Sequence, residues 1–501
     1  MGESMDVMFS PQPFLRPELG MEVQFFIRVA YGVLLCGTLL LALPHWRRFF
    51  ISERWGGYGQ SVASVNAIQN PLVFPLVFVI WFACGILIAK GQWTPWPAVL
   101  NLLLCRYFFI AMRWKGLLRG MGAPGFVLYW GGLSVALLEY CLKYAPEMRS
   151  FALQVLQIDF AFIYLSSGFY KFSAGYPKNQ GMELGMVNPA WGYWWRTYKD
   201  MPPSHFLFRF LNHLAWTSQI VAGILMMLPP TRFIGGSIII GMFVFIATQI
   251  RLGLLCEVVV FCSGLIFFHP GSAGDQFIAA LVGPVHTSYA EPFWGQSILN
   301  AILVFMMGMY LLLLPFVHGG LSCNFYLRRS LPGSLQKVLE RYSNFFGLIV
   351  WRVFSVDLIN FFIRIYRCRP GQNEQRIPVS SYEWMRDVRF LHVAESITLA
   401  CVFTTLKYYP SNSALFNERL LRYARTLPCE QGDQLIFEYV SVKKEASGFD
   451  FVSVAEYWVD PVAGTVVERV LDPSISVRSP HAVSPVHEGV RPGTYVPLRG
   501  Q

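Results

Sequence analysis

The stretch from residue 1 to residue 317 is dominated by apolar runs whose length matches the thickness of a lipid bilayer. About 20 consecutive apolar residues in a helix cross a hydrocarbon core that is about 30 Å thick. The runs cover residues 23–43, 71–89, 98–112, 125–145, 150–170, 205–228, 233–268 and 297–317. Charged residues make up 14% of the chain, compared with about 25% in soluble domains. The sequence therefore predicts an all-α polytopic membrane protein with about 8–10 transmembrane helices.

Two of the runs need separate comment. The run at 23–43 has no basic region before it and no small-residue cleavage site after it, so we expect a transmembrane helix that is retained. The run at 233–268 is too long for one crossing and is interrupted by Gln249, Ile250 and Arg251. We expect either two helices that meet in a tight polar joint or one broken helix.

The net charge of +10 comes mostly from basic residues at the ends of the apolar runs, such as Arg47 and Arg113. This distribution indicates membrane topology and contact with the lipid bilayer, and it argues against nucleic acid as a partner. The positive-inside rule makes the basic 47–54 loop cytoplasmic and the 272–297 loop, which has no lysine or arginine, exoplasmic. We expect an integral multi-pass protein of the cell (inner) membrane.

The cysteines and histidines do not form a metal-binding pattern. The ten cysteines include no C-x-x-C pair, and most lie in apolar runs, as is typical of small buried hydrophobic residues. His392 and Glu395 stand one helical turn apart without an evident third ligand, so polarity of a helix surface is the favoured interpretation. His205 and His213 share this weakness. The sequence predicts no metal site.

The chain changes character after the apolar domain at 1–317. Residues 318–409 are predicted to form a basic linker, an interfacial amphipathic helix and one marginal transmembrane helix at 390–407. The amphipathic helix is placed at 345–367 because polar residues recur there at three- and four-residue steps. This polar stripe consists of Asp357, Asn360, Arg364 and Arg367.

The end of the chain is predicted to be soluble. Residues 410–471 should form a small β-rich domain, because segments rich in valine, phenylalanine and tyrosine alternate there with turn signals. The segments are 434–442, 449–458 and 465–471. Residues 472–501 are rich in proline, serine and arginine and are predicted to be disordered.

The strongest candidate site lies at the end of the run that covers 150–170. Gln157, Tyr164, Ser167 and Lys171 follow one another at spacings of seven, three and four residues, so they share one helix face. Polar groups at membrane depth are costly and therefore usually functional. Two interpretations of Lys171 stay open. It is a general base in a low-dielectric pocket, or it extends from a helix end to the lipid headgroups.

Three tryptophans follow this helix, at Trp191, Trp194 and Trp195. They are typical of an interfacial aromatic belt, and the alternative is that they stack on a bound quinone or lipid ring. Glycine and proline at 119–125 predict a tight turn, with a backbone anion site as the alternative. Other ionisable residues at membrane depth should form pairs between helices, because unpaired charges are expensive there. They are Arg106, Glu139, Asp159, Arg251 and Glu257.

The residues Tyr164, Gly168 and Lys171 form a Y-x-x-x-G-x-x-K pattern. Together with the loop at 47–57 and the segment at 409–416, this pattern resembles the HTTM (horizontally transferred transmembrane) domain family. That superfamily includes the vitamin-K-dependent γ-carboxylase. The resemblance implies a multi-helix membrane fold with a β-rich extramembrane tail.

In the carboxylase, a lysine in this segment is the base that deprotonates vitamin K hydroquinone, and the pattern maps this role onto Lys171. The resemblance thus implies a carboxylase-like membrane enzyme with a quinone-like or peptide substrate. The chain differs from the carboxylase at three places. Tyr170 stands where that family has a second lysine, and Gly175–Tyr176 stands where it has an acidic residue and a tryptophan. The segment at 119–125 lacks the histidine of the corresponding loop. A second class stays open: a non-catalytic membrane protein that binds a lipid or a protein partner through the same cavity.

Overall fold

The computed structural model is helical over the apolar part of the chain and ends in a small antiparallel sheet. It describes residues 17–57, 66–110, 122–285, 290–325, 331–348, 356–369, 376–380, 393–408, 410–430 and 432–478. The helices before the sheet are Met21–Ala42 (α1), Trp46–Phe50 (α2), Phe74–Lys90 (α3), Trp96–Cys105 (α4), Gly122–Tyr144 (α5), Arg149–Ser173 (α6), Met182–Val187 (α7), Trp195–Lys199 (α8), Phe206–Met227 (α9), Arg232–Gln249 (α10), Leu255–Val258 (α11), Ala273–Val282 (α12), Gln296–Phe325 (α13), Gly333–Phe346 (α14) and Val356–Ile359 (α15).

Six of these helices are long and apolar enough to cross a membrane. They are α1, α5, α6, α9, α10 and α13. Each of the six occupies one of the predicted apolar runs. The other apolar segments of the described chain are shorter: α3, α4 with its continuation to Ile110, α11 with its continuation to Phe267, and α12. The predicted helical class is therefore confirmed, with six helices of spanning length where about 8–10 were expected.

The long run at 233–268 is two helical segments, as the first alternative predicted. α10 ends at Gln249 and α11 begins at Leu255. Ile250 forms an isolated antiparallel bridge with Gly192, and the backbone N–H of the following residue, Arg251, donates to the carbonyl of Trp191. The joint is stabilised by these backbone hydrogen bonds, because peptide groups that are buried must find partners inside the protein.

The sheet has five antiparallel strands in the order β2-β1-β3-β4-β5. Its strands are Phe361–Cys368 (β1), Ile377–Ser380 (β2), Gln434–Lys444 (β3), Phe449–Asp460 (β4) and Thr465–Val470 (β5). Two further helices, Val393–Tyr408 (α16) and Ser413–Ala424 (α17), lie between β2 and β3 in sequence. The predicted strands at 434–442, 449–458 and 465–471 correspond to β3, β4 and β5.

The predicted amphipathic helix at 345–367 is wrong. α14 ends at Phe346, and residues 361–368 form β1, which pairs along its length with β3. Phe361, Ile363 and Ile365 share one face of this strand and are buried, as side chains at alternate positions of a strand share a face. The polar steps at Arg364 and Arg367 fit the helical period only by coincidence. The sheet thus begins before the predicted domain boundary at 410.

The predicted marginal span at 390–407 is also corrected, because the described helix there, α16, belongs to the core of the sheet domain. The ring of Phe403 lies 5.4 Å from Phe416 of α17 and 5.5 Å from Tyr457 of β4. α16 is not among the six helices of spanning length. The polar residues of α16 are buried against the rest of the protein. Its mixture of apolar and polar residues is therefore accounted for by packing inside the sheet domain.

The sheet domain packs against one end of the helical bundle. Arg422 of α17 forms an ion pair with Glu53 at 2.8 Å, and Lys444 at the end of β3 forms one with Glu183 at 2.6 Å. The 47–54 loop therefore lies at the same end as the sheet. α12 packs beside the beginning of α1, at the opposite end. Of the predicted tail at 472–501, the structure describes residues up to Arg478, where Asp472 accepts hydrogen bonds from Ser474.

Candidate functional site

The amine of Lys171 is buried inside the bundle and bonded to neutral groups. Its Nζ donates to Ser167 Oγ at 3.0 Å and to Gln219 Oε1 at 2.9 Å, and the residue is 3% exposed. Within the described ranges, no acidic side chain forms an ion pair with it. An ammonium group has three N–H donors, whereas a neutral amine has two and a lone pair, so either form can make these two hydrogen bonds.

The local fold explains why these groups meet. Ser167 and Lys171 are four residues apart on α6 and therefore lie on one face. Gly168 of α6 and Gly223 of α9 allow the two helices to approach closely. A Cβ at Gly168 would lie 2.9 Å from the backbone nitrogen of Ile220, and one at Gly223 would lie 2.9 Å from that of Leu165. Small residues at such a crossing bring Gln219 of α9 within reach of the amine.

A methionine orients the glutamine amide. Gln219 Nε2 donates to Met242 Sδ at 3.8 Å, and Ser218 Oγ donates to the same sulfur at 3.3 Å. A thioether only accepts hydrogen bonds, and only weakly. The amide nitrogen therefore faces the sulfur of α10, and the amide oxygen faces Lys171, where a carbonyl oxygen is the complementary partner of an amine.

The amine opens onto a narrow, mostly apolar cavity between α6, α9 and α10. The cavity has a volume of about 40 Å³, enough for about three water molecules. Leu214 and Phe245, on its outer rim, are 40% and 37% exposed. The lining residues are Tyr164, Ser167, Lys171, Met182, Leu211, Leu214, Ala215, Gln219, Met242, Phe243, Phe245, Ile246 and Leu252.

Lys171 does not extend toward a helix end. Its partner Gln219 lies in the interior of α9, which begins at Phe206 and ends at Met227. A helix rises about 1.5 Å per residue, so Gln219 lies about 20 Å from the beginning of α9 and about 12 Å from its end. The amine that bonds to it lies at the same level. The second hydrogen bond, to Ser167, turns back along α6. The headgroup-anchor interpretation of Lys171 is therefore disfavoured.

The chain between α6 and α8 consists of short helical turns, including α7, and loops, and much of it is buried in the protein. Residues 181–192 are buried without exception. Glu183 is fully buried and accepts from Asn212 Nδ2 at 2.7 Å and from the backbone N–H of Gly181. Met182, the residue before it, lines the cavity. This segment forms the inner wall of the site, and contacts inside the protein satisfy its peptide groups.

Of the predicted polar line, three residues share the cavity and one does not. Tyr164 lines it, with its ring between those of Phe160 and Phe243 at 4.7 and 5.8 Å. Gln157 lies further along α6, where its Nε2 donates to the carbonyl of Ile266 at 2.7 Å. It is not among the lining residues. Gln157 shares the helix face but supports the chain around residue 266 and not the amine.

The tryptophans do not line the cavity. Trp191 is buried in the core, where its carbonyl accepts from Arg251. Trp194 is 51% exposed, and its Nε1 donates to the carbonyl of Thr248. Trp195 packs on Phe451 of β4. Their predicted role as a cofactor platform at the mouth of the site does not fit this placement.

The predicted pairing of ionisable residues holds for one acid. Glu139 forms an ion pair with Arg28 at 3.4 Å, whereas Asp159 accepts from two neutral donors, Trp130 Nε1 at 2.8 Å and Tyr310 Oη at 2.7 Å.

Among the described residues, the remaining three ionisable groups at membrane depth do not form the predicted acid–arginine pairs with one another. The guanidinium of Arg106 stacks on Phe345 at 5.1 Å, and that of Arg251 donates to the carbonyl of Pro189 at 2.9 Å. Glu257 Oε2 has no hydrogen-bond partner among the residues that the structure describes.

Other predicted features fall partly outside the description. Residues 119–121 of the predicted 119–125 turn lie outside the described residues, and residues 122–125 begin helix α5 and do not form a turn. His392 also lies outside the described residues, while Glu395 accepts from Tyr423 Oη at 2.8 Å. In the described part of the chain, no group of three His, Cys, Asp or Glu residues could hold a metal ion.

Two residues that complete the site, Gln219 and Met242, were missed. The signal for Gln219 was present, since it is a polar residue in the middle of the apolar run 205–228, four residues before Gly223.

Comparison with protein-family models, with curated proteins and with solved structures finds no match for this chain. The geometry around Lys171 is therefore the basis for assigning a function.

Proposed function

We propose that this chain is an integral membrane enzyme that uses Lys171 as a general base on a lipid-soluble substrate. The substrate class is a molecule with a weakly acidic hydroxyl, such as an isoprenoid hydroquinone, or a hydrophobic peptide. The observation that carries the proposal is a buried amine with no acidic partner in the described chain, bonded to Ser167 and Gln219 beside a cavity. Burial without a counter-charge favours the neutral, proton-accepting form of an amine.

A membrane location is supported by the outer surfaces of the helices. Large apolar side chains on three helices face outward. Contact with water would be unfavourable for them, whereas contact with lipid tails would be favourable. Examples are Val221, Val244, Phe305 and Phe316. With the six helices of spanning length, this favours a multi-pass membrane protein, and the cell (inner) membrane is the location that we propose for it. The basic 47–54 loop and the sheet domain that packs on it would then be cytoplasmic.

The site offers a simple proton transfer. The lone pair of the neutral Lys171 amine takes a proton from the substrate hydroxyl, an N–H bond forms, and the O–H electron pair stays on oxygen. Ser167 Oγ and Gln219 Oε1 are both acceptors, so they stabilise the ammonium that results. Apolar walls keep water away from the substrate anion and strengthen its attraction to the ammonium.

The route to the amine is lateral. Leu214 of α9 and Phe245 of α10 form the partly exposed rim of the cavity, on the surface where lipid tails would lie. A cavity of about 40 Å³ does not hold an aromatic ring, so binding requires these two side chains to move apart. The apolar lining fits the body of a quinone. In its present form, the cavity has room only for one hydroxyl group of the quinol and a few water molecules.

The resemblance to HTTM domains supports the same residue, since Lys171 occupies the lysine of that pattern. It does not extend to carboxylation, because Tyr170 replaces the second lysine of the carboxylase. The alternative function is that of a non-catalytic protein that binds a lipid or a protein partner at this cavity. The mostly apolar lining of the cavity, which would suit an acyl chain as well as a quinone, is the observation in its favour.

The test uses the full chain in nanodiscs that contain an isoprenoid hydroquinone. The hydroquinone anion reacts with O₂ faster than the neutral form, so a base accelerates its oxidation, which absorbance follows. We expect an acceleration of about 10²-fold over empty nanodiscs. Lys171→Arg and Lys171→Met should both remove it, because neither side chain accepts a proton at neutral pH. The matched control is Lys407→Arg, a second buried lysine in the sheet domain.

Retention of the acceleration in Lys171→Arg would contradict the base. Lipid extraction from the purified protein separates the two functions. An isoprenoid quinone that co-purifies with the wild-type protein supports the enzyme. Phospholipid alone, without acceleration by the wild-type protein, favours the binding protein.

A further inference from the structure

The hairpin between β3 and β4 contacts the inner wall of the Lys171 site. Lys444 Nζ lies 2.6 Å from Glu183 Oε1 and 3.2 Å from the carbonyl of Asn179, to which it donates. Lys444 is partly exposed, whereas Glu183 is fully buried, so the lysine carries its charge from the sheet into the helical part. In the described chain, Lys444 is the only cation in ion-pair contact with this carboxylate.

The turn of the hairpin is seated closely against the bundle. A Cβ at Gly448 would lie 2.6 Å from the carbonyl oxygen of Lys199, so only glycine allows this approach. The next residue, Phe449, places its ring 5.8 Å from that of Phe208 on α9. The hairpin is therefore held by packing as well as by the ion pair.

The ion pair is one residue away from the cavity on two elements. Glu183 follows Met182, and Asn212 follows Leu211, and both Met182 and Leu211 line the cavity. Asn212 donates to Glu183 from Nδ2 and accepts the backbone N–H of Met182 at Oδ1, at 2.9 Å. A carboxylate that is fixed by Lys444 is thus linked through hydrogen bonds to the two neighbouring wall residues, Met182 and Leu211.

We propose that Lys444 and Glu183 are positioning residues, an ion-pair latch through which the extramembrane sheet holds the Lys171 cavity narrow. The inference deepens the proposed function, because it names the element that controls access to the site. Without Lys444, the buried carboxylate of Glu183 keeps only neutral donors. A buried charge that loses its partner is strongly unfavourable, so segment 181–187 should open toward water.

The test measures access to Lys171 and needs no enzymatic activity. The full chain in nanodiscs is treated with phenyl isothiocyanate, a lipid-soluble reagent for neutral amines, and modification of each lysine is followed by mass spectrometry. Lys444→Met should increase the rate at Lys171 by at least about tenfold, which corresponds to about 1.4 kcal/mol. Glu183→Gln, which keeps the shape of the side chain but weakens the bond to Lys444, should increase it less, because no buried charge is left without a partner. Lys444→Arg restores an ion pair and should keep the slow rate.

Two controls separate a latch from general loosening. Lys443→Met removes the neighbouring lysine, which is more exposed and pairs with Glu445, and should leave the Lys171 rate unchanged. Lys407, buried to the same extent as Lys171 but in the sheet domain, reports on unfolding in the same experiment. Equal acceleration at Lys407 and Lys171 would overturn the latch, and so would an unchanged Lys171 rate in Lys444→Met. Because modification does not depend on catalysis, failure of the proposed function would not produce either result.

Discussion

The helical part and the sheet domain use charge in opposite ways. Among the described residues of α1–α14, one ion pair joins two helices, Arg28 with Glu139. The sheet domain has several ion pairs in a much shorter stretch of chain: Arg364–Glu438, Arg367–Asp433, Arg369–Asp433, Arg376–Glu456 and Arg478–Glu468. Ion pairs are cheap where water solvates their edges and costly where it does not. The described helical part therefore depends little on ion pairs, whereas the sheet domain is stabilised by several of them.

Two buried lysines make the comparison specific. Lys171 and Lys407 are both 3% exposed. Lys407 Nζ donates to Asn360 Oδ1 at 2.8 Å and lies 4.5 Å from the ring centre of Phe361, so its amine is packed against the sheet. Lys171 instead lies beside a cavity. Burial is therefore common to both lysines, and the cavity beside Lys171 is the feature that distinguishes its surroundings from those of Lys407.

The largest effect should come from removing the sheet. A chain that ends at Tyr409 loses β3, β4 and β5, so β1 loses its pairing partner and Glu183 loses Lys444. We expect this chain to lose its cooperative thermal unfolding transition and to be degraded by protease within residues 174–200. A chain that ends at Arg478 keeps every described contact and is the matched control. A truncated chain that resists protease like the control would show that the helical part folds by itself.

The second effect distinguishes the two lysines. Lys407→Met leaves Asn360 Oδ1 without this donor and should lower the free energy of unfolding by about 1–3 kcal/mol. Lys171→Met leaves Ser167 Oγ and Gln219 Oε1 without this donor and should lower it by a similar amount, but this substitution alone should also abolish hydroquinone oxidation. Denaturant titration in detergent measures stability, and the hydroquinone assay measures activity. Loss of hydroquinone oxidation in Lys407→Met at equal stability would contradict the distinction between the two lysines.

A smaller effect concerns the partner of the amine. Gln219→Leu removes one acceptor from Lys171 and one donor from Met242, and we expect a loss of about 1 kcal/mol in stability. The same variant should react faster with phenyl isothiocyanate at Lys171, because fewer hydrogen bonds hold the amine. Ser218→Ala, one residue away, removes only a bond to the methionine and is the control. Equal modification rates in the two variants would show that Gln219 does not hold the amine.

The sequence predicted what depends on local periodicity. The run lengths located the six spanning helices, and the four-residue step from Ser167 to Lys171 placed two site residues together. Gln219 was missed because it lies 48 residues from Lys171, and only the packing of α6 on α9 brings them together.

β1 was mistaken for a helix for a related reason. Its polar residues recur at a helical step, and the strand that overrides this pattern is distant in sequence. β1 ends at Cys368, whereas β3 begins only at Gln434, after two intervening helices. Both Gln219 and β1 were therefore mispredicted because their partners are distant in sequence.

The smallest predicted effect tests the charged character of the sheet domain. Arg369 donates from Nε to Asp433 Oδ1 at 2.9 Å, and this hydrogen bond is the main reason that the pKa of the Asp433 carboxyl is lowered. A carboxyl whose folded pKa is below its unfolded value, about 3.9, contributes its full stabilisation above that pH. The contribution is lost as the pH falls through the folded pKa. Asp433→Asn should therefore lower Tm by a few degrees at pH 7, and the difference from the wild type should shrink in acid and in high salt. Lys171→Met should show no such acid dependence, because no described acid forms an ion pair with this amine. A Tm difference for Asp433→Asn that stays constant from pH 7 to pH 3 would mean that packing, and not charge, holds this edge of the sheet.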